Sequence, residues 1–344
     1  MENIVEEVPE VIKANLENLP DSLKSKLPDE VLDVLEKIPY PCEFLAAGVV
    51  LIVTWFIVKH FFSGPEDEEV VMEEIKESVR APLSIGAYNI QVFGKSKIQN
   101  PVVLPVLVEI ISRFDLILLQ EIRDISGDAL KQLIGQLNDE LYEDATFHFV
   151  QSEPLGRSDN HKEQYAFLFR QNNLKLVEAK IYPNESGVFH RPPFCAVFET
   201  IGDKDEMLKR KFTVVGIHAD PDDAVAEISA LVDVYEWARE MWADVMNVII
   251  MGDFNAGKNY IPNKYWEDVK LATDDRFTWL IPNDVDTTTA ESTNHAYDRI
   301  VVAGPEPLEN MVVDEATIEY DQLGLGAEDA KAVSDHCPVF FRWE

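Results

Sequence analysis

The chain has 344 residues, 46% of them hydrophobic, which is enough for one large core or two smaller ones. Its 63 Asp and Glu outnumber 30 Lys and Arg for a formal charge of −33, which excludes a broadly basic surface that holds nucleic acid by charge alone. Cys42, Cys195 and Cys337 stand far apart in no metal-ligand or C-x-x-C spacing, so no disulfide framework is readable, although a single Cys195 to Cys337 bridge stays open.

In chain order, residues 1–43 form an acidic region in which Val8 to Ile38 alternates apolar and charged residues at helical spacing, broken by Pro20 and Pro28, predicting short amphipathic helices. Phe44 to Phe62 then reads FLAAGVVLIVTWFIVKHFF, without an acid and with one base near its end. That run is long enough to span a thin bilayer and shows no polar stripe, so residues 44–62 are predicted to be a retained single-pass transmembrane anchor. The acidic residues before it do not resemble the basic start of a cleaved signal peptide. Residues 63–80 read as an acidic stalk, and 81–344 as the main folded domain. Flanking positive charges do not decide the orientation. Unpaired cysteines favour the cytosolic or nucleoplasmic face for the domain, against the sequon Asn184-Glu185-Ser186, which favours the lumen.

Beyond the stalk, short apolar runs alternate with helical windows. Strands are predicted at Leu83 to Asn89, Leu116 to Glu121, Tyr165 to Arg170, Phe194 to Glu199, Phe212 to His218, Val248 to Asp253, Arg299 to Ala303 and Val339 to Trp343. Helices are predicted at Val102 to Arg113, Ala129 to Leu137 and Ala224 to Met241. Because strands and helices alternate only part of the time, the class is α/β (α+β) with mixed rather than purely parallel sheets.

Several of these strands end in chemistry. Met251-Gly252-Asp253-Phe254-Asn255-Ala256-Gly257 closes one apolar run with an acid and an amide two residues apart. Tyr88-Asn89-Ile90 and Leu119-Gln120-Glu121 close two others, while His218 and Ser334-Asp335-His336 follow or precede more. Alone, Glu121 reads as a solvent-facing carboxylate, His218 as a core histidine and Asp335-His336 as a turn. Converging on one cleft, they read as a metal-assisted phosphodiesterase: hydrolysis needs an activated water, neutralisation of charge on the phosphoryl oxygens and a proton for the leaving oxygen. Oxygen donors suit Mg²⁺ or Mn²⁺ rather than zinc.

The stretches IGAYNIQVFG, ISRFDLILLQEIRD, SEPLGR, KEQYAFLFR, HADPDDAVAEI, MGDFNAG, FTWLIPNDVDTTT, AYDRIVVAG and SDHCPV closely resemble the deoxyribonuclease I family of the endonuclease/exonuclease/phosphatase superfamily, over Leu83 to Trp343. The resemblance implies a four-layer sandwich of two packed mixed β-sheets flanked by helices, and a metal-dependent endonuclease that leaves 5′-phosphate ends on DNA. It implies the pairs Glu163 with His218 and Asp298 with His336 as catalytic groups, without saying which imidazole is base and which acid. Asp253 and Asn255 join them, Asn255 as a donor to the scissile phosphate. Metal ligands implied are Glu121, with Asn89, Asp253 and Asp335. Substrate contacts implied are Arg123, Arg191, Asn255 and His161, the last standing where secreted members have a groove-stacking tyrosine.

Other departures matter. Lys258 and His295 replace the family's principal disulfide, and the loop from Tyr182 through Gly187 is shortened, with Gly187 and Pro192 where acids of a calcium site are expected. A second Ca²⁺ site is carried over to Asp286, Thr287 and Thr289, residues that suit a hydrogen-bonded loop equally well. Alternatives are a sphingomyelinase-like phosphodiesterase, suggested by the anchor and the acidity, and a non-catalytic binder of actin, as some relatives are. SEPLGR and AYDRIV argue against the first, and the intact acid, amide and imidazole set against the second. The domain is expected to be monomeric.

Overall fold

The computed structural model describes residues 82–140, 146–158, 162–201, 210–289, 295–305, 310–313, 316–318 and 320–343. The predicted helices of 1–43, the apolar segment 44–62 and the stalk 63–80 lie outside the described residues. Among the described residues no helix is long and apolar enough to cross a membrane.

Two six-stranded mixed sheets form the frame. The first has strand order β11 (Met311–Val312), β12 (Val339–Trp343), β1 (Leu83–Phe93), β2 (Leu116–Ile122), β4 (Gln164–Arg170) and β3 (Phe147–Gln151). The second runs β5 (Leu174–Ile181), β6 (Phe194–Thr200), β7 (Lys211–His218), β8 (Asn247–Asp253), β10 (Asp298–Ala303) and β9 (Thr278–Trp279). Each sheet holds one parallel pair at its centre, β1 with β2 and β7 with β8, flanked by antiparallel neighbours.

Side-chain alternation makes the layers. On β1, Ile85 and Ala87 point between the sheets while Tyr88 and Ile90 point outward. On β2, Leu118 and Leu119 divide the same way. Between the sheets lies an aromatic and aliphatic core that includes Phe167, Phe198, Phe212, Met251, Ile300 and Trp343. Phe212 meets Trp343 edge-on with centroids 5.1 Å apart, a contact of about 0.5–1.5 kcal/mol beyond area burial. Outside the first sheet pack helices α1 (Lys95–Ile98), α2 (Val103–Ile111) and α3 (Asp128–Glu140), and α6 (Ala327–Val333) joins that layer. Outside the second pack α4 (Ala224–Met241) and the short α5 (Lys270–Thr273). Helix, sheet, sheet and helix give the four layers. The helix expected over Val102 to Arg113 is shorter at both ends, because Ser112 and Arg113 close it in a tight turn onto Val108 and Ile110.

Registry places the functional strand ends together. Across the second sheet His218 pairs with Asp253 and Asp253 with Asp298, so adjacent strands end in one row. In the first sheet Asn89 pairs with Gln120. The register then slips on both strands, with Gln91, Val92 and Glu121 all at positive φ (31, 54 and 56°). These bulges turn the chain so that Glu121 faces inward.

The two rows are joined by Gln120, which is fully buried. Its Nε2 donates to Ile217 O at 2.7 Å and its Oε1 accepts from Asp253 N at 3.0 Å. Gly252 (φ 136°) is what permits this approach, since a Cβ there would lie 2.1 Å from Ile217 O and 2.9 Å from Gln120 Nε2.

Cys195 and Cys337 are both buried and form no disulfide with each other, which closes the question of a bridge between them. Reducing agent is therefore expected to leave the urea midpoint unchanged; a downward shift would reveal a disulfide. Gly252→Ala is expected to cost roughly 3 kcal/mol or more, read as a lowered urea midpoint. An unaltered midpoint would show that β7 and β8 can separate at this end without loss.

Candidate active site

At this shared edge two histidines flank one carboxylate. His218 ends β7, and its Nδ1 lies 2.9 Å from Glu163 Oε2 while its Nε2 lies 3.6 Å from Asp253 Oδ2. His336 follows α6, and its Nδ1 lies 2.8 Å from Asp298 Oδ2 while its Nε2 lies 3.7 Å from the same Asp253 oxygen. Each imidazole is thus oriented from behind by its own carboxylate and opens forward onto one spot. The hydrogen bonds hold Nδ1 as the donor on both rings, leaving each Nε2 to face the cleft.

Electrostatics follow from burial and pairing. Burial alone would raise the Glu163 carboxyl, but the hydrogen bond and charge of His218, with Arg191 and Arg123 beside it, hold it down at about 2. Burial alone would lower His336, but the charges of Asp298 and Asp253 and the Asp298 hydrogen bond push it up to about 10. His336 therefore carries a proton at neutral pH and can give it away. Burial, opposed by His336, raises the Asp298 carboxyl.

Beside the imidazoles stand oxygen donors. Glu121 Oε2 accepts from Val92 N at 2.8 Å, and its Oε1 accepts from Asn89 Nδ2 at 3.1 Å. Asn89 Nδ2 also donates to Asp253 Oδ2 at 3.1 Å, while its Oδ1 accepts from Gln91 N. Asn89 thus offers an amide nitrogen, not an oxygen, to the acids it was expected to join as a ligand, and it bridges them. Asp335 accepts from Gln91 Nε2 at 2.7 Å through Oδ2, and its Oδ1 is buried with no hydrogen-bond partner. Glu121 and Asp253 share Asn89 as a donor and Asp335 stands beside Gln91, so the oxygen donors on this side of the site are hard carboxylates of the kind that suit a divalent cation. Asp253, Asp298 and His336 also offer ligand atoms within 4.8 Å of one another, but Asp298 and His336 are already bonded to each other.

The expected substrate contacts separate. Arg123 is one-third exposed and reaches Glu163 Oε1 at 2.6 Å and Glu121 Oε2 at 3.7 Å, which leaves it at the mouth of the cleft. Arg191 is turned inward instead. Its Nε donates to His218 O at 3.0 Å and its Nη2 to Ala219 O at 3.3 Å, because these carbonyls leave the strand end of β7 without ladder partners. Asn255 (φ 49°) donates through Nδ2 to Ala219 O at 2.9 Å and through its backbone N to Asp253 Oδ1 at 2.9 Å. His161 lies outside the described residues.

The loop proposed for Ca²⁺ is internally bonded. Asp286 Oδ1 accepts from Thr288 N and Oγ1 and from His295 N, and Thr289 Oγ1 donates to Ser334 O. Thr287, fully buried, donates to Asp298 Oδ2 at 2.8 Å and so holds the carboxylate behind His336. SEPLGR has a similar supporting part: Leu155 pairs with Glu163 through both backbone bonds, fixing the carboxylate behind His218.

Sequence reasoning passed over other members. Gln120 carried a signal, a polar residue in an otherwise apolar strand, which must find partners when buried. Tyr165, whose hydroxyl accepts from His218 N at 2.8 Å, and Ser334, which donates to Asn89 O at 2.6 Å, carried none. A further cluster joins His190, whose Nδ1 lies 3.0 Å from Asp220 and Nε2 2.6 Å from Asp223. With opposite ring nitrogens facing different acids, it clasps the segment carrying Arg191 to the loop after His218.

Paired imidazoles over a cleft of hard oxygen donors, at the edge of a four-layer sandwich, define a phosphoester-hydrolysing enzyme. The model of the endonuclease/exonuclease/phosphatase family matches residues 86–336, and the chain belongs to that family. Deoxyribonuclease-1 of Sus scrofa is 39% identical over 265 residues, covering 75% of this chain and 90% of the relative. The Homo sapiens deoxyribonuclease-1 is 42% identical over 265 residues, with the same coverage. The human Nocturnin catalytic domain shares the fold at 18% identity, with a TM-score of 0.51 over 77% of this chain and 95% of that one. Within the family, this chain is a deoxyribonuclease I-like phosphodiester hydrolase.

The depressed Glu163 carboxyl makes a pH prediction. Its ordinary value is 4.5 and its folded value about 2, so ionised Glu163 contributes stability that is complete above pH 4.5 and lost as the pH falls from there through about 2. The shift corresponds to about 3 kcal/mol. Urea midpoints measured between pH 5 and 3 are expected to fall more steeply for the native chain than for Glu163→Gln. Parallel slopes would place the acid sensitivity elsewhere.

Proposed function

We propose that this enzyme is an endonuclease acting on DNA, with Mg²⁺ or Mn²⁺ as cofactor, and that it leaves 5′-phosphate ends. The observation that carries this reading is the opening of both Nε2 atoms, at 3.6 and 3.7 Å, onto the same Asp253 oxygen. A phosphodiester placed there meets an imidazole on each side. The relatives named deoxyribonuclease-1, at 39 and 42% identity, support DNA as the substrate.

In this mechanism His218, oriented by Glu163, accepts the proton of the attacking water, and His336, oriented by Asp298 and already protonated, donates to the departing 3′ oxygen. Asn255 faces the scissile phosphate beside Asp253. Arg123 holds a neighbouring phosphate, and His161 is proposed as a further substrate contact. Glu121, Asp253 and Asp335 would hold a divalent cation, with Asn89 hydrogen-bonded to the first two, and the cation would supply neutralisation of charge on the phosphoryl oxygens. Arg191 acts through the carbonyls of His218 and Ala219, positioning the first imidazole. Whatever Ca²⁺ the loop of Asp286, Thr287 and Thr289 takes serves the shape of the site, through Asp298.

The apolar run 44–62 serves as a single-pass anchor in this proposal, with 63–80 as the stalk and the domain facing cytosol or nucleoplasm. Cys195 and Cys337, buried and not in a disulfide, support a reducing compartment.

Plasmid nicking by the full chain tests the reading. His218→Ala and His336→Ala are each expected to lower turnover by about a hundredfold or more. EDTA is expected to abolish nicking and added Mg²⁺ to restore it, with ends that DNA ligase reseals. Sphingomyelin turnover without nicking would replace DNA with a lipid headgroup as substrate.

A further inference from the structure

Behind the active site, on the outer face of the second sheet, the structure holds a small cavity of about 20 Å³. Its floor includes the side chain of Arg299 and its rim includes the exposed Lys258, Asn263 and Asn283, with His295 between. Among the described residues, no carboxylate lines it.

Arg299 is unusual in its setting. It is 1% exposed, and its Nη1 and Nη2 donate to Ile281 O and Asn283 Oδ1, both neutral acceptors, at 2.7 Å. Its Nε has no hydrogen-bond partner. Burial pulls the guanidinium down to about 10 even though the charge of Asp298 raises it, the response of a cation short of compensation. His295 adds a second orphan. Its Nε2 lies 3.1 Å from Asn259 Nδ2 and accepts from it, so the ring proton sits on Nδ1, which is buried and also without a partner. Both orphans are therefore donors, each on a residue that lines the same cavity.

We infer that this cavity is a binding site for a phosphate group, seated on Arg299 and His295 and closed at the rim by Lys258. One water needs about 10–15 Å³, so the cavity of about 20 Å³ admits one phosphate oxygen while the remaining ones project between Lys258 and Asn263. Bound there, the anion ties the segment after Asn255 to the strand that begins at Asp298, and so braces two elements of the active site from behind. The phosphate comes either from free inorganic phosphate or from a nucleic acid strand. The site is independent of the substrate assignment.

Inorganic phosphate titrated into the full chain, in EDTA and at ionic strength matched with chloride, tests the inference. The unfolding midpoint is expected to rise by roughly 3 °C at ten times Kd. The rise is expected to disappear in Arg299→Met and to shrink at least several-fold in Lys258→Glu, an exposed substitution that leaves the core intact. It is expected to persist in His218→Ala, which separates this cavity from the catalytic cleft. A full rise in Lys258→Glu, its loss in His218→Ala, or an equal rise with chloride alone overturns the inference. A parallel arm with a short oligonucleotide lacking terminal phosphates identifies the source: a Lys258-dependent rise there assigns it to a strand, and a rise with inorganic phosphate alone assigns it to the free ion.

Discussion

The amide of Gln120 is the constraint on which the active edge depends. It belongs to β2 of the first sheet, yet both of its polar atoms bond backbone of the second, at Ile217 and Asp253. Two sheets packed through aliphatic and aromatic side chains can slide by small amounts at little cost. A buried amide with two fixed partners cannot, because either bond broken leaves a desolvated polar group. Since Ile217 precedes His218 and Asp253 faces both imidazoles, this one side chain sets where the second sheet's row stands against Asn89 and Glu121. Gly252 is its necessary counterpart, a residue without Cβ at the point where the amide and β7 come closest.

Charge at that edge is balanced in layers. Behind the imidazoles stand two acids: Glu163 and Asp298 are each buried and each bonded to an imidazole Nδ1. The imidazoles come next, then Asp253 between their outer nitrogens, and Glu121 and Asp335 nearest the mouth. Arg123 and Arg191 offset part of the negative charge, and Asp335 Oδ1, which makes no hydrogen bond among the described residues, lies 3.8 Å from His336 Nε2. Alternating layers of this kind fix ring orientation and tautomer before any substrate arrives.

How much of this was legible in the sequence depends on where a residue sits. Interior strands such as LILLQEI and NVIIMGD are buried on both faces, so they read as continuous apolar runs with a polar stop, and the stop was the functional residue. The four strands missed, β3, β5, β9 and β11, are the four sheet edges. Of these, β9 and β11 are two residues long, β5 carries charge as in LKLVEAKI, and β3 is a short FHFVQ interrupted by His148, and none leaves a long apolar run to recognise. In the site, residue types announced the carboxylate and imidazole ends, but direction was not legible. Nothing in HRPPF says that Arg191 turns toward carbonyls, and nothing in DVDTTT says that Thr287 holds Asp298, because both partners come from distant segments.

The inward turn of Arg191 bears on how a polyanion reaches the enzyme. With that guanidinium engaged by backbone, and a chain charge of −33, the far field repels a nucleic acid and attraction is left to short-range contacts such as Arg123. Dissolved ions shorten the reach of that repulsion to about 8–10 Å at physiological strength. Moderate salt therefore eases the approach of the strand, whereas for a basic nuclease, which gains by releasing counterions, it weakens the encounter.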